Sequence, residues 1–233
     1  MLMRSLDLLL TLSLTLVAAG ACAGDDELTE VQRQLDLTPD PALAGLWEPV
    51  DEIGPAYEFD LDGQWASIET SSPGDPEPQP PTRTEGMFGG DGDRLRIVIP
   101  FSLDVPGGYS GYTESNDNYH VDGDLLSMWV IHPEGVVDGV VGTFTADSVW
   151  LFVGGESDRL ENHLISTWSF AADGTFTQKQ SWQSEGAVES YDHSGTYQVT
   201  DDGVRVRFAG ESGDLILYWA GEGLTYWRWR RVE

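Results

Sequence analysis

The chain predicts an all-β protein built from two tandem antiparallel meander or barrel domains, and three observations carry that expectation. Nine Trp, eight Tyr and eight Phe supply core material, interspersed with β-branched residues and many Gly-Asp pairs. Short runs alternate apolar and polar side chains on either side of Asp-Gly turns, the period of a half-buried strand. The runs also occur as two look-alike copies, which implies a repeated unit.

Arg4 begins a leader whose residues 8–18 are apolar and whose end is Ala19, Gly20 and Ala21. That stretch is shorter than the roughly 20 apolar residues a permanent span needs, so residues 1–21 read as a signal peptide. Cys22, the single cysteine, follows directly, and one cysteine forms no internal disulfide. The segment resembles the lipobox of bacterial lipoproteins, with Ala19 where that family prefers Leu. The resemblance implies a lipid attached at Cys22 and a cell-envelope address, and Ala23 after the cysteine favours the outer membrane. Ala19 to Ala21 also fit a small-x-small cleavage site, which would release a soluble secreted or periplasmic protein.

Residues 22–42 read as lipid attachment point and acidic tether, ending in Thr38-Pro39-Asp40-Pro41; Leu28, Val31 and Leu35 fall at helical spacing within it. The first β domain is expected over 43–135 and the second over 136–233, with the boundary near Pro133 to Asp138. In the first, Tyr57-Glu58-Phe59-Asp60-Leu61 alternates, Asp62-Gly63 turns and Trp65-Ala66-Ser67-Ile68 resumes. In the second, Trp168-Ser169-Phe170 alternates, Asp173-Gly174 turns and Thr175-Phe176-Thr177-Gln178 resumes. Glycine accepts positive φ at little cost, so both are expected hairpins and copies of each other.

A second correspondence sets Tyr119 to Leu126 beside Tyr197 to Val204, and competes with a Gly-Asp-Leu-x-x-x-Trp repeat at Gly123 to Trp129 and Gly213 to Trp219. Gly45-Leu46-Trp47 opens the first copy and Gly142-Thr143-Phe144 is its counterpart. This pattern resembles the lipocalin-like, calycin-type domains of bacterial lipoproteins, which implies barrels and transfers no ligand. The insertion at 71–82 carries five prolines between Pro73 and Pro81 and reads as an exposed, extended loop.

The formal charge is −28, and removal of residues 1–21 leaves 11 basic against 39 acidic side chains, with Lys179 the single lysine. Such a chain repels phosphates and anionic headgroups, so nucleic acid is excluded and a membrane is reached only through the N-terminal lipid. Asp192-His193-Ser194 cannot form a triad, because adjacent strand residues point to opposite faces. No Gly-x-Ser-x-Gly elbow occurs, and the four histidines lack zinc-ligand spacing. Glu114 to Asn118 and Asp122-Gly123-Asp124 depart from the EF-hand pattern. No catalytic residue, metal or cofactor is assigned. Arg228 and Arg230, with Arg205 and Arg207, would form an outward stripe on two nearby strands, either binding a ligand or neutralising carboxylates.

The expected function is a non-catalytic envelope module binding a small apolar ligand or a partner protein. Trp168, Tyr197, Trp219 and Trp227 are the candidate lining of a ligand cavity. The competing expectation is an envelope hydrolase acting on glycan or lipid through paired carboxylates.

Overall fold

A computed structural model describes residues 37–50, 54–69, 80–103, 109–135, 138–154, 158–184 and 187–232. The first eight strands are β1 (Gly45–Pro49), β2 (Ala56–Phe59), β3 (Gln64–Glu69), β4 (Thr82–Gly90), β5 (Arg94–Leu103), β6 (Tyr109–Asp122), β7 (Leu125–Met128) and β8 (His132–Pro133). The next eight are β9 (Gly142–Gly154), β10 (Asp158–Phe170), β11 (Thr175–Ser184), β12 (Ala187–Thr200), β13 (Gly203–Phe208), β14 (Leu215–Ala220), β15 (Gly223–Thr225) and β16 (Trp227–Val232). The protein is all-β and antiparallel, with a closed eight-stranded barrel and further strands.

The two expected hairpins are β2–β3 and β10–β11, and their turns are built alike. Gly63 has φ +84° and Gly174 has φ +83°, the left-handed region that glycine occupies cheaply. Asp60 accepts the amides of Asp62 and Gln64 at 2.9 and 2.8 Å, while Asp173 accepts the Thr175 amide at 3.0 Å. The turns set Phe59 opposite Trp65 and Phe170 opposite Phe176, which puts each aromatic pair on the inner face.

From β1 to β6 the chain runs as a meander. β6 then pairs with β7 from Tyr119↔Met128 to Asp122↔Leu125, β7 pairs with β16, and β16 pairs with β1 from Leu46↔Val232 to Pro49↔Trp229. The C-terminal strand therefore closes the first barrel. The second meander runs from β9 to β15, and its ends are joined by the segment after β7. Ile131 exchanges two backbone hydrogen bonds with Leu224, at 2.7 and 2.9 Å, while His132 and Pro133 of β8 pair with Thr145 and Phe144 of β9. Each ring is thus closed by the strand that follows the other ring's seventh. At the crossing Trp129 takes φ +54°, and the Thr225 hydroxyl donates to the Met128 carbonyl at 2.6 Å.

The second correspondence falls elsewhere than the sequence places it. Tyr119 lies on the sixth strand of its ring and Tyr197 on the fourth of its own. Phe88 N–H donates to Gly63 O at 2.9 Å and Tyr197 N–H to Gly174 O at 2.8 Å; Tyr119 N–H donates to Asp93 O at 2.9 Å and Trp219 N–H to Asp202 O at 3.0 Å. These bonds equate Phe88 with Tyr197 and Tyr119 with Trp219, because ring position, not local composition, relates the copies.

Two cores result. The first gathers Leu43, Trp47, Phe59, Phe88, Leu95, Tyr119, Leu126 and Trp229, and the second Ile131, Phe144, Trp168, Phe170, Phe176, Val204, Val206, Leu217 and Leu224. Residues 37–42, counted with the tether above, lie against the first barrel: Leu37 covers Met87 and Val98, Gly90 N–H donates to Thr38 O, and Asp40 caps a short 3-10 turn at Pro41–Leu43 and accepts the Tyr119 hydroxyl. Cys22, the helical spacing at Leu28 to Leu35 and most of the proline-rich insertion lie outside the described residues.

Candidate functional site

The four aromatic residues predicted to line a cavity are divided between the cores. Trp168 is wholly buried, with Phe176 at 5.3 Å, Phe170 and Phe208 at 5.9 Å and Tyr226 at 6.0 Å between ring centroids. Tyr197 and Trp219 pack half-buried on the same core, and the Tyr197 hydroxyl donates to Ala171 O at 2.8 Å. Trp227 belongs to the first core, edge-on to Trp129 at 5.0 Å. Aromatic rings thus surround the sites where these side chains sit. An open depression of about 390 Å³ lies instead on the outer rim, between Glu48–Val50 and Arg230–Val232.

The two arginine-bearing strands are not paired neighbours: Arg205 and Arg207 lie on β13 of the second ring, whereas Arg228 and Arg230 lie on β16 of the first. Arg207 pairs with Asp214 at 2.6 Å, and Arg231 stacks over Trp47. Arg228 stacks over Tyr218 of β14 at 3.7 Å and so reaches across the seam between barrels. His193 packs edge-on to Phe208 at 5.7 Å, and its strand neighbours Asp192 and Ser194 face the opposite way.

The Glu114 to Asn118 segment forms part of β6 at the junction of the rings. Glu114 pairs with Arg96 at 2.8 Å. Arg94 donates to Asn116 Oδ1 at 3.1 Å, to Asn118 Oδ1 at 2.7 Å and to the Asp147 carbonyl of β9 at 2.9 Å. Between those amides Asp117 points inward and is only 2% exposed. Burial pushes its carboxyl up to about 6, against hydrogen bonds from Ser148, Ser115 and Trp129 and the charge of Arg94. Its Oδ1 has no hydrogen-bond partner among the described atoms. Burial also raises Glu69 and Tyr57, and the charges of Asp117 and Glu69 push the Tyr57 hydroxyl further up. Sequence reasoning weighed Asp117 only as part of a calcium pattern, although its two-residue spacing from inward-facing Tyr119 places it on the inner face.

A further feature comes from strands that outrun their rings. The N-terminal half of β6 leaves β7 and pairs with β9 from Gly111↔Gly154 to Asn116↔Val149. β10, β11 and β12 continue beside it, through Asn162↔Ser184 and Ser184↔Ala187. Along β9 one parity carries Phe144, Ala146, Ser148, Trp150 and Phe152. Phe144 is sealed inside the second barrel, Ala146 packs against the same core and Ser148 is buried, while Trp150 and Phe152 continue that face farther along the strand. There Trp150 and Trp182 stack at 5.4 Å with planes 29° apart, and Leu164, opposite both Ser148 and Trp182, lies between their strands. All three are half-buried. Alternation is unchanged along the strand, and only ring closure decides which aromatics become core and which remain at a surface.

No family model, curated protein or solved structure was found to match this chain.

Proposed function

We propose that this protein is a non-catalytic cell-envelope module that binds a partner protein, anchored by a lipid on Cys22 and built from lipocalin-like β domains. The observation that supports it most is the half-buried Trp150–Trp182 face beyond the barrel mouths, since contiguous aromatic surface is characteristic of protein recognition. The aromatic fill around Trp168 favours a partner over a small apolar ligand held inside the second barrel. With a formal charge of −28, the lipid is the attachment that suits this chain to a membrane.

A photo-crosslinking side chain at Gln180, on the same face, is expected to label one envelope protein, with labelling lost in Trp150→Ala. The same group at Arg205, on the outer face, is expected to label none. Equal labelling from the two positions overturns the reading. Attachment at Cys22 is checked separately by metabolic labelling with an alkynyl fatty acid, which Cys22→Ser should abolish.

The second reading, an envelope hydrolase acting on glycan or lipid, draws on Asp117 and Glu69, both raised by burial and both acting on Tyr57. The 2% exposure of Asp117 weighs against substrate access.

A further inference from the structure

Among the described residues, the strand edge beside the aromatic face is open. β11 pairs with β12 from Ala187 to Thr196, whereas β13 pairs only with Gly195 to Thr200. Among the described residues, Ala187 to His193 therefore carry a hydrogen-bond ladder on one side. The direction of their backbone groups follows from two bonds: Ala209 N–H reaches Ser194 O on the β13 side, and Tyr197 N–H reaches Gly174 O on the β11 side. Backbone polar groups alternate along a strand, so Val188, Ser190 and Asp192 aim theirs at the open side.

Edges of this length are ordinarily shortened, bulged or blocked by proline, because they template strand addition. Here the edge has no proline, and Val188 is 61% and Tyr191 51% exposed, two of the five large exposed hydrophobics among the described residues. Gln180↔Tyr191 and Trp182↔Glu189 set Tyr191 and Glu189 on the Trp182 face, so an added strand would prolong that face. The edge carries Glu189 and Asp192 and no Lys or Arg; Lys179 stands opposite Asp192 in the β11 ladder. A second copy would bring another −28 of charge, which disfavours self-association, whereas a basic segment is drawn in.

We propose that the edge Ala187 to His193 takes an extended, Lys- or Arg-bearing segment of another protein as an added strand. The proposal rests on the partner-binding reading above and names the partner's chemistry: main-chain pairing supplies affinity, and side chains at alternate positions meet Tyr191 and Trp182.

The probe is a blocked decapeptide alternating lysine and tyrosine, titrated into the full mature protein. Binding is expected to slow amide exchange at Val188, Ser190 and Asp192. Ser190→Pro removes an open-side N–H and leaves the β11 ladder intact, and should weaken Kd about tenfold or more at unchanged Tm. A peptide N-methylated at alternate residues should lose affinity comparably, which keeps the test valid if Ser190→Pro folds poorly. Equal binding of the peptide by Ser190→Pro, with no penalty for N-methylation, would mean charge attraction alone and overturns the proposal. So would slow exchange at those three amides in the unliganded protein, which means the chain covers its own edge, or a dimer that Ser190→Pro dissociates. Loss of envelope crosslinking in Trp150→Ala but not in Ser190→Pro would preserve the aromatic face and reject strand addition. Persistence in both variants would reject both readings.

Discussion

The two barrels are closed by unequal means. In the first, β16 contributes six residues and pairs along β1 and β7 in registers of four residues each. In the second, Ile131 meets Leu224 and the two residues of β8 meet β9, so three consecutive residues span the gap. The hairpins, turn glycines and aromatic pairs are near copies in both. What differs is how much backbone completes each ring, and the exchange makes each closure depend on where the other ring ends. The lesson is that a duplicated meander can have equivalent cores and very unequal seams.

Removing residues 227–232 should have the largest effect. It strips Trp229 and Trp227 from the first core and leaves β1 paired only with β2 and β7 only with β6, which opens the ring, so the first barrel should lose cooperative unfolding. Near-UV circular dichroism and amide exchange would then show the second barrel's amides still protected. Equal collapse of both barrels would mean that the seam dominates and the two are one folding unit.

Next is Trp168→Ala, which empties the middle of the second core and should cost about 3–5 kcal/mol. Calorimetry distinguishes the outcomes: a single transition lowered as a whole means coupled rings, and a split transition means independent ones. Trp47→Ala, equally buried in the first core, is the matched control. A cost below about 1 kcal/mol for Trp168→Ala would contradict a packed interior, since that is the range of surface substitutions and volume-conserving swaps.

Much of this frame was legible in the sequence, for physical reasons. Tyr57 with Phe59 and Trp168 with Phe170 alternate at period two beside turns that need glycine, and both properties are local. The exchange of β8 and β16 was not legible, because nothing local in Trp227-Arg228-Trp229 tells which ring its inward tryptophans will fill. The arginines show the same thing: alternation opposed Arg228 to Trp227, but nothing local told that β13 and β16 would belong to different rings. Trp150 shows a further limit. Its parity matches that of core residue Phe144, and only the length of β9 beyond the ring leaves it at a surface. Asp117 was hidden among polar neighbours that suit a solvated strand equally well.

The rings also meet at Asp117, where β6 passes from β7 to β9. Burial pushes its carboxyl up to about 6 from the ordinary 3.8, so the folded state favours the proton. A raised carboxyl pKa contributes stability below the unfolded value and loses it as pH climbs through the folded one. At 1.36 kcal/mol per pKa unit, ionisation costs at most about 3 kcal/mol by pH 7. Stability of the native chain relative to Asp117→Asn should therefore fall between about pH 4 and 6, the interval between the two values. General self-repulsion of a −28 chain acts on both proteins and cancels in the difference. A difference that stays flat with pH would mean that Asp117 is solvated and that the junction is looser than its burial indicates.

The smallest expected effect lies in the side chain that bridges the seam. Arg228 places its guanidinium 3.7 Å from the Tyr218 ring centroid, and on the turn after β14 a Cβ at Gly221 would lie 3.0 Å from the His120 ring. Arg228→Ala should cost about 1 kcal/mol, and Arg228→Lys should recover only part, because an ammonium lacks the planar stacking of guanidinium. The loss should concentrate in amide exchange along β14 and the Asn118 to Val130 contact, leaving the hairpin β2–β3 unchanged. If Arg228→Ala leaves exchange on both sides of the seam untouched, the barrels are held by their exchanged strands and the β6–β9 ladder alone. The inequality of the two closures would then be the main determinant of which ring opens first.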